Sequence, residues 1–478
     1  MRKKKYFIIT ILFILSLVLV GCGKKPVTTK HTDTEPTTTD EHIHEFGDWQ
    51  EISKATCTEE GYRKRTCKKC GIVEYEIIPK KDHTYVNDKC SVCGHEIITD
   101  GFHIYYSSMD ELYHIDDYTG ESTTVRIPRY YDDGEHGEHN ICIDRENIID
   151  SFDCALKDCN IEKIIIGDGI KTIDDNMFMG LNSLKEVVFD YKVEKVGEKA
   201  FYNCPNLETI TFNDDLQQIG FYAFAYCDIK EIRLPYYLGI IDVGAFSDNT
   251  NLTEVTYYNN ITEIRDNAFN NTALESIKIT YGLQYFGPQE KLPNLTEFNV
   301  DARNTKYIFE NGCLINQDDN ILVKAISVAT IPDNIVYISS YALAYLDYSE
   351  VDFVVPSSVL EIGFCSFKGS TFKSLTLSEG LVMIDENAFT GVDITDSEDL
   401  EIILPSTVTY ISYHAFQGFK CKKLTIPTSV TYLGYKAFDE CEIEEIVIHS
   451  TTLDSHDCDA YWDTGIDLDI TTITIIND

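Results

Sequence analysis

The sequence is short of basic residues and has no apolar run long enough to cross a bilayer. Its 478 residues include 40 Lys and Arg against 79 Asp and Glu, a formal net charge of −39. Because such a polyanion repels nucleic acid, nucleic acid is excluded as a partner. Hydrophobic residues form 43% of the chain, which is enough for a sizeable core and excludes global disorder.

The charge is unevenly distributed. Residues 1–98 hold 16 basic and 14 acidic residues, whereas residues 99–478 hold 24 basic and 65 acidic ones, a net of −41. The sequence also lacks G-x-S-x-G, a phosphate loop, H-E-x-x-H and a dinucleotide fingerprint. Its scattered carboxylates are too many to nominate a catalytic pair. We therefore expect a protein that is not an enzyme.

The N-terminus has the features of an export signal. Basic residues 2–5 precede an apolar run from Phe7 to Val20, whose 14 residues are too few for a membrane-spanning helix. The run ends in Leu19-Val20-Gly21-Cys22, which resembles the lipobox of bacterial lipoproteins. The resemblance implies cleavage of residues 1–21 and acylation of Cys22, which would hold the protein on the outer face of the membrane. The alternative is a plain membrane anchor. Residues 22–43, rich in Thr, predict a disordered tether.

Residues 44–98 form a small module rich in cysteine and histidine. Cys67-x2-Cys70 and Cys90-x2-Cys93 have the spacing of a zinc site built from two knuckles. The segment also resembles Cys/His-rich units of Gram-positive surface proteins. That resemblance implies a different division, in which one site comprises His44, Cys57, Cys67 and Cys70. A shortened second site comprises His83, Cys90 and Cys93, with His95 as a further candidate.

The two divisions share ligands, so at most one of them is right. Structural zinc, disulfides formed after export and free thiols all remain open. Histidines at the unit starts favour metal, because they have no role in disulfides. In each case we expect a structural role, since a core this small needs a covalent or metal cross-link.

A repeat dominates the rest of the chain. A pair such as Ala223-Phe224 recurs at spacings of 22, 23, 23, 22 and 23, then after a gap of 74, then at 24, 22, 27 and 22. Each unit has the form L-x-x-I-x-I-P-x-x-V-x-x-I-x-x-x-A-F-x-x-C, as in Leu424–Cys441. Alternation at Leu424 and Ile426 predicts a short strand with one buried face, and Ala-Phe predicts a compact returning turn. One unit cannot bury its apolar face alone, so the units must stack.

This pattern resembles the BspA-like, class 5, leucine-rich repeat. The resemblance implies a repeat solenoid of the α/β type, predominantly β, coiled right-handedly as a horseshoe from repeats of about 22–24 residues. It covers residues 151–450 and includes a hairpin insertion at about 298–330, with its turn at Asn316–Asn320. The copy at Tyr281–Gln289 lacks Ala-Phe, so we expect the coil to be locally irregular there. Residues 99–150 and 451–478 are expected to cap the two ends.

Family members are mostly surface adhesins, so the resemblance implies binding to a protein or another cell-surface ligand. Residues beside the buried strand positions would project onto a concave sheet face. The central stretch is acidic and hydroxylic, which favours a basic or polar partner. We expect ligand contacts at Glu231, Arg233, Glu254, Thr256, Ser276, Lys278, Glu297 and Asn299. The alternatives are a self-associating envelope protein and, more weakly, an enzyme with its site in the insertion at 281–330.

Overall fold

The structure, a computed structural model, describes residues 43–56, 60–79, 81, 85–86, 89–90, 98–127, 130–131, 135–136, 139–143, 156, 158–167, 170–189, 192–326, 330–395, 401–449 and 471–476. The predicted signal peptide, the lipidation site Cys22, almost all of the tether and most of the C-terminal cap lie outside these residues. The described residues fall into two compact units, which divide between about residues 86 and 95. No helix among them is long and apolar enough to cross a membrane.

The small unit contains a three-stranded antiparallel sheet. Its strands are β1 (Gln50–Ser53), β2 (Gly61–Thr66) and β3 (Val73–Ile78), in the order β1-β2-β3. Two short strands follow, β4 (Tyr85–Val86) and β5 (Lys89–Cys90). With so little apolar core, the sheet relies on cation–π contacts. The guanidinium of Arg65 lies 4.6 Å from the ring centre of Trp49 and 4.7 Å from that of Phe46.

The large unit begins with a mixed sheet. The strands of this part of the unit are β6 (Phe102–Ser107), β7 (Leu112–Tyr118), β8 (Thr124–Ile127), β9 (Tyr130–Tyr131) and β10 (His139–Ile143). Four of these strands pair in the order β6-β7-β10-β9. The remaining one, β8, pairs in parallel with the first strand of the repeat, so that Thr124 is opposite Lys163. This segment therefore leads directly into the solenoid.

The first array of coils runs from residue 163 to residue 300. Its strands are β11 (Lys163–Ile166), β12 (Thr172–Ile173), β13 (Glu186–Phe189), β14 (Lys195–Val196), β15 (Thr209–Thr211), β16 (Gln218–Ile219), β17 (Glu231–Arg233), β18 (Ile240–Ile241), β19 (Glu254–Thr256), β20 (Glu263–Ile264), β21 (Ser276–Ile279), β22 (Tyr285–Phe286) and β23 (Glu297–Val300). Odd-numbered strands form one side, which we call the strand side. Even-numbered strands, two residues each, form the turn side, and all six pair in one parallel ladder.

An antiparallel hairpin sheet and a second array follow. The hairpin sheet contains β24 (Tyr307–Glu310), β25 (Cys313–Asn316) and β26 (Ile321–Ala325). The second array contains β27 (Tyr337–Ile338), β28 (Asp347–Val355), β29 (Glu361–Ile362), β30 (Thr371–Leu377), β31 (Met383–Ile384), β32 (Asp393–Ile394), β33 (Glu401–Ile403), β34 (Tyr410–Ile411), β35 (Lys420–Ile426), β36 (Tyr432–Leu433), β37 (Glu442–His449) and β38 (Thr472–Ile476). Its turn side, β27-β29-β31-β34-β36, continues the hairpin sheet in one ladder.

The architecture is a β-solenoid of about 12 turns, which confirms the predicted repeat fold. Its strand content confirms the predominantly β prediction. The helical component implied by the α/β type is missing, because the described part of the chain contains no helix and each coil returns through consecutive turns instead. The predicted Phe positions stack through the core. Ring centres of Phe178, Phe201, Phe224 and Phe246 are 5.1, 5.2 and 5.7 Å apart in succession.

Each described coil with an Ala-Phe pair or its equivalent has two turn-side residues in the left-handed backbone region. One lies immediately before the Ala of each Ala-Phe pair and another lies three residues after that Ala, so that Lys199 has φ 52° and Asn203 has φ 57°. Most of these positions are not glycine, although a non-glycine residue there costs about 1 kcal/mol. Hydrogen bonds between coils hold the conformation. Phe201 N donates to Ala223 O at 2.8 Å, for example, and Phe224 N donates to Ala245 O at 2.9 Å.

The irregular copy at Tyr281–Gln289 keeps its place in the stack. Its strand β22 pairs with β20 in register, with Phe286 opposite Ile264. The missing Ala-Phe carbonyl is replaced by a side chain, because the buried amide of Gln289 accepts a hydrogen bond from Phe269 N at 3.0 Å. The Gln289 Nε2 group donates to Arg265 O at 3.0 Å and to Gly287 O at 2.9 Å. The Gln289 side chain thus supplies the hydrogen-bond acceptor that a backbone carbonyl supplies in the other coils.

The hairpin sheet joins two hydrophobic cores. Alternate residues of a strand point to opposite faces, and here each face meets a different core. In β25, Leu314 packs in the first core while Cys313 and Ile315 pack in the second. The predicted polar stretch Asn316–Asn320 connects β25 to β26. The additional strand β24 pairs with β25, and the connecting Asn311 and Gly312 have φ of 50° and 76°.

Candidate ligand-binding face and metal centre

The strand side of the first array displays all eight residues that the sequence predicts for ligand contact. Each of them is exposed. Side chains alternate along a strand, so the two exposed residues of each strand flank one that points toward the core. Parallel register brings them into adjacent rows, with Glu231 opposite Glu254, Arg233 opposite Thr256, Ser276 opposite Glu297 and Lys278 opposite Asn299. We call these eight residues the strand face.

Two acidic residues of the strand face lie side by side. Glu231 and Glu254 are opposite one another in neighbouring strands, which are about 4.8 Å apart in a sheet. Elsewhere on the strand side such acids are neutralised, as in the Lys163–Glu186 pair at 2.8 Å and the Lys423–Glu401 pair at 3.2 Å. Within the described residues neither Glu231 nor Glu254 forms an ion pair. Like charges in this arrangement oppose folding, so a cationic ligand would stabilise them.

Tyrosines adjoin the strand face where the strands end. The guanidinium of Arg233 donates to the Tyr258 hydroxyl at 2.5 Å, which raises the pKa of Arg233. The ring centre of Tyr236 lies 5.5 Å from that of Tyr258 and 5.3 Å from that of Tyr237. Tyr236 and Tyr237 are 53% and 60% exposed, unusually high values for large aromatic side chains. We call Arg233, Tyr236, Tyr237 and Tyr258 the tyrosine cluster.

Sequence reasoning missed this cluster, although a signal was present. Aromatic residues follow the strand in successive coils, as Tyr236-Tyr237, Tyr257-Tyr258 and Tyr281. Tyr257 is buried and its hydroxyl donates to the Lys278 carbonyl, whereas Tyr281 remains exposed beneath the Arg303 guanidinium, 4.5 Å from the ring centre. Arg303 also makes a bidentate contact with Asp301, which lowers the pKa of Asp301 to about 2.

A groove of about 520 Å³ lies at the end of the strand face, where β23 ends the first array. Three predicted contact residues line it together with apolar side chains from β23 and β24. The lining residues are Lys278, Glu297, Phe298, Asn299, Val300, Asp301 and Phe309. The groove therefore combines charged walls with an apolar floor, a composition typical of recognition sites.

In the small unit, three of the predicted metal ligands come together. Donor atoms of His44, Cys67 and Cys70 all lie within 4.8 Å of one another, and Cys70 Sγ is 3.3 Å from His44 Nδ1. In a tetrahedral zinc site, sulfur and nitrogen ligands are about 3.5 Å apart, so these three residues fit zinc. A tight turn positions the two thiols, because Gly71 N donates to Cys67 O at 2.9 Å with Gly71 at φ 77°.

This grouping matches the division that pairs His44 with Cys67 and Cys70. Its fourth predicted ligand, Cys57, lies outside the described residues, as do His83 and Cys93. Cys90 lies on β5, and its side chain is outside the description as well. The second site of that division, with His83, Cys90 and Cys93, therefore stays a prediction.

Thiols of the solenoid are shielded rather than activated. Burial raises the pKa of Cys313, which lies within the hairpin sheet, to about 12, and that of Cys421 to about 12. Burial likewise raises the pKa of Cys441 to about 11. A nucleophilic thiol needs a lowered pKa, so these three act as small apolar side chains. Cys313 thus gives no support to an enzyme site in the insertion.

Comparison with known proteins places the repeat in a family. The family described as BspA type Leucine rich repeat region matches the chain in six copies, over residues 139–230, 171–289, 217–317, 322–398 and 396–462. No curated protein matches the chain.

The chain also resembles solved structures over most of its length. A leucine rich cell surface protein from Faecalibacterium prausnitzii A2-165 shares 21% identity with a TM-score of 0.56, covering 78% of this chain and 98% of its own. The pneumococcal vaccine antigen PcpA shares 17% identity with a TM-score of 0.49, covering 80% of this chain and 100% of its own.

Proposed function

Because the chain belongs to the BspA type leucine-rich repeat family, we propose that it is a non-catalytic cell-surface protein that binds a basic macromolecule through its strand face. The observation that carries this proposal is the pair of uncompensated acids, Glu231 and Glu254. Lysines neutralise equivalent acids in other coils, so a fold selected only for stability would neutralise these as well. A protein ligand on a host surface or a neighbouring cell, bound in adhesion, provides the missing cations.

The tyrosine cluster supports the same face. Tyr and Arg are enriched among the residues that dominate the energetics of protein interfaces, and Tyr buries a large area with few rotatable bonds. Arg233 is held by Tyr258 and stands beside Glu231 in the same strand, so the acidic pair and the aromatic rings form one continuous surface. Electrostatic attraction would accelerate association and salt would weaken it, while the aromatic contacts would slow dissociation.

The test is binding of the purified protein to a panel of immobilised extracellular-matrix proteins. We expect saturable binding to at least one of them, reduced about tenfold or more in the double variant Glu231→Lys/Glu254→Lys. The control, Glu350→Lys/Glu444→Lys, makes the same change of charge on exposed acids of the second array and should bind normally. Equal binding by the two double variants would refute the strand face as the binding site.

Self-association is the alternative function, and it needs a second experiment. Sedimentation velocity over a hundredfold concentration range, without any matrix protein, separates the two functions. Concentration-dependent assembly that Glu231→Lys/Glu254→Lys abolishes, together with no matrix binding, would favour a structural envelope protein. A monomer at every concentration favours adhesion.

We also propose that His44, Cys67 and Cys70, with Cys57, hold one structural zinc ion. The three described ligands fit a tetrahedral site, and a structural ion would stabilise a unit whose sheet buries little apolar surface. Metal analysis of the full chain should find zinc, and His44→Ala should lose one equivalent. Absence of bound zinc, with Cys57, Cys67 and Cys70 resistant to thiol labelling in the denatured chain, would instead indicate disulfides.

Attachment to the outer face of the membrane through acylated Cys22 is likewise proposed. It is supported by the lipobox-like sequence ahead of that residue. Labelling of cells with radioactive palmitate should mark the wild-type protein and leave Cys22→Ala unlabelled. Labelling of both proteins would contradict this site.

A further inference from the structure

The hydrogen-bonded ladder on the strand side is interrupted at the end of the first array. β21 and β23 form a two-stranded parallel sheet. Beyond β23 the chain turns into the hairpin sheet, whose strands extend the turn-side ladder of the second array rather than the strand side. Among the described residues no strand pairs with the outer edge of β23. The groove of about 520 Å³ is lined by all four residues of β23 and by Phe309 of β24.

Backbone groups of β23 point into this groove. Asp301 N donates to Ile279 O at 2.9 Å, on the side of β21. In a parallel strand the N–H and C=O of one residue point to the same side, and successive residues point to opposite sides. Glu297 and Asn299 therefore face β21 with Asp301, and Phe298 and Val300 direct their N–H and C=O groups to the open edge. Such an edge is a template for another strand.

The side chains around the edge suit an extended apolar and basic segment. Val300 and Phe309 pack against the first core yet stay partly exposed in the groove, so they offer apolar contact. Glu297 is exposed and forms no ion pair within the described structure, whereas Asp301 is already held by Arg303. With a net charge of −41 over residues 99–478, the surroundings attract cations as well.

We propose that the open edge of β23 binds an extended basic peptide segment of a partner protein as an added strand. Hydrogen bonds to Phe298 and Val300 hold the backbone of the peptide, its apolar side chains cover Val300 and Phe309, and a lysine or arginine pairs with Glu297. β23 has four residues and is about 13 Å long, so a peptide of four or five extended residues would cover its edge. This inference extends the proposed binding function from the strand face to its edge, and the two can fail separately.

The probe is the fluorescein-labelled peptide acetyl-Lys-Val-Lys-Val-Lys-amide, titrated with the full chain and followed by fluorescence polarisation. We expect saturable binding that weakens with salt. Methylating the backbone nitrogens of either the valines or the lysines should abolish binding for one set and spare the other, because only alternate N–H groups meet β23. Amide hydrogen exchange should slow at Phe298 and Val300 when the peptide binds, while Glu297 and Asn299 are protected already.

Two variants separate the edge from the rest of the groove. Val300→Pro removes an outward N–H without touching the ladder to β21, and should weaken peptide binding about tenfold. Val300→Ala, the control, keeps the N–H and should stay within about threefold of wild type. Glu297→Gln should reduce affinity and its salt dependence, whereas Glu275→Gln, which lies outside the groove lining, should do neither.

Three results would overturn the proposal. They are no peptide binding at millimolar concentration, equal binding of both N-methylated peptides, and equal affinity of Val300→Pro and Val300→Ala. A dimer of the protein alone that Val300→Pro dissociates would also overturn it, because the edge would then be filled by a second copy. Glu231→Lys/Glu254→Lys should retain peptide binding, so failure of the strand face leaves this test intact.

Discussion

Lys324 is expected to make the stability of the large unit depend on pH. Its side chain is only 3% exposed, and Nζ donates to Tyr341 O at 2.7 Å, to Gln289 O at 2.9 Å and more weakly to Glu290 O at 3.4 Å. These carbonyls belong to the last coil of the first array and the first coil of the second. Burial lowers the pKa of Lys324 from 10.5 to about 7, although the Glu290 carboxylate favours the charged form.

The sign follows from proton binding. Between pH 7 and 10.5 the unfolded chain keeps a proton on this amine and the folded chain does not, so the free energy of unfolding rises with pH. The burial penalty is about 5 kcal/mol below pH 7, since the pKa is lowered by about 3.5 units at 1.36 kcal/mol each. Between pH 7 and pH 9 the penalty falls by about 2 kcal/mol.

The measurement compares wild type with Lys324→Met by urea unfolding at pH 7, 8 and 9. Despite burial, hydrogen bonding between Lys368 and Glu290 lowers the pKa of Glu290 and raises that of Lys368. Burial raises the pKa of Tyr341 and of Tyr345. None of these neighbours therefore titrates between pH 7 and pH 9. The free energy of unfolding of wild type minus that of Lys324→Met should rise by about 2 kcal/mol from pH 7 to pH 9. The exposed neighbour Lys291→Met should give no such slope. A flat difference for Lys324→Met would refute the reasoning.

Three further changes test the construction of the coils by urea unfolding. Phe224→Ala, within the ring stack, should lower the free energy of unfolding by about 4 kcal/mol, whereas Phe221→Ala, 39% exposed, should lower it by less than about 1 kcal/mol. Gln289→Ala leaves a buried backbone N–H without its acceptor and should cost about 2 kcal/mol, while the exposed Gln284→Ala should be neutral. Lys199→Gly should stabilise the protein by about 0.5–1 kcal/mol, because it relieves a left-handed backbone at φ 52°; a loss of stability would contradict the assigned conformation.

The stacked architecture was predictable because each unit is incomplete by itself. Residues such as Leu424 and Ile426 alternate in one short strand, and Ala-Phe returns every 22–24 residues, so that only stacking removes these apolar groups from water. The left-handed residues of the turn side were not predictable. Lys199 and Tyr222 have no intrinsic preference for that conformation, and they adopt it only because neighbouring coils hydrogen-bond to their turns.

Exposure of the strand face was predictable from alternation, yet its electrostatics were not. Whether Glu231 meets a lysine or another acid depends on its parallel register with Glu254, 23 residues later in the chain. Likewise, Lys324 lies in a sequence that resembles a solvent-exposed strand, and its burial arises only where two arrays meet. The spacing of the cysteines alone suggests a metal site, whereas the grouping of His44 with Cys70, a contact across 26 residues, was implied only by the resemblance to Cys/His-rich units.

The hairpin sheet between the arrays has a mechanical consequence. Coils on either side are joined on the turn side by rungs of two residues, whereas β25 and β26 of the hairpin sheet have four and five. Under tension applied to the chain ends, we expect the coils of the first array, whose strands have at most four residues on either side, to open before the hairpin sheet. Each released coil of 22–24 residues would lengthen the chain by about 70 Å. Under force, a protein of this construction would extend one coil at a time while the hairpin sheet stays folded.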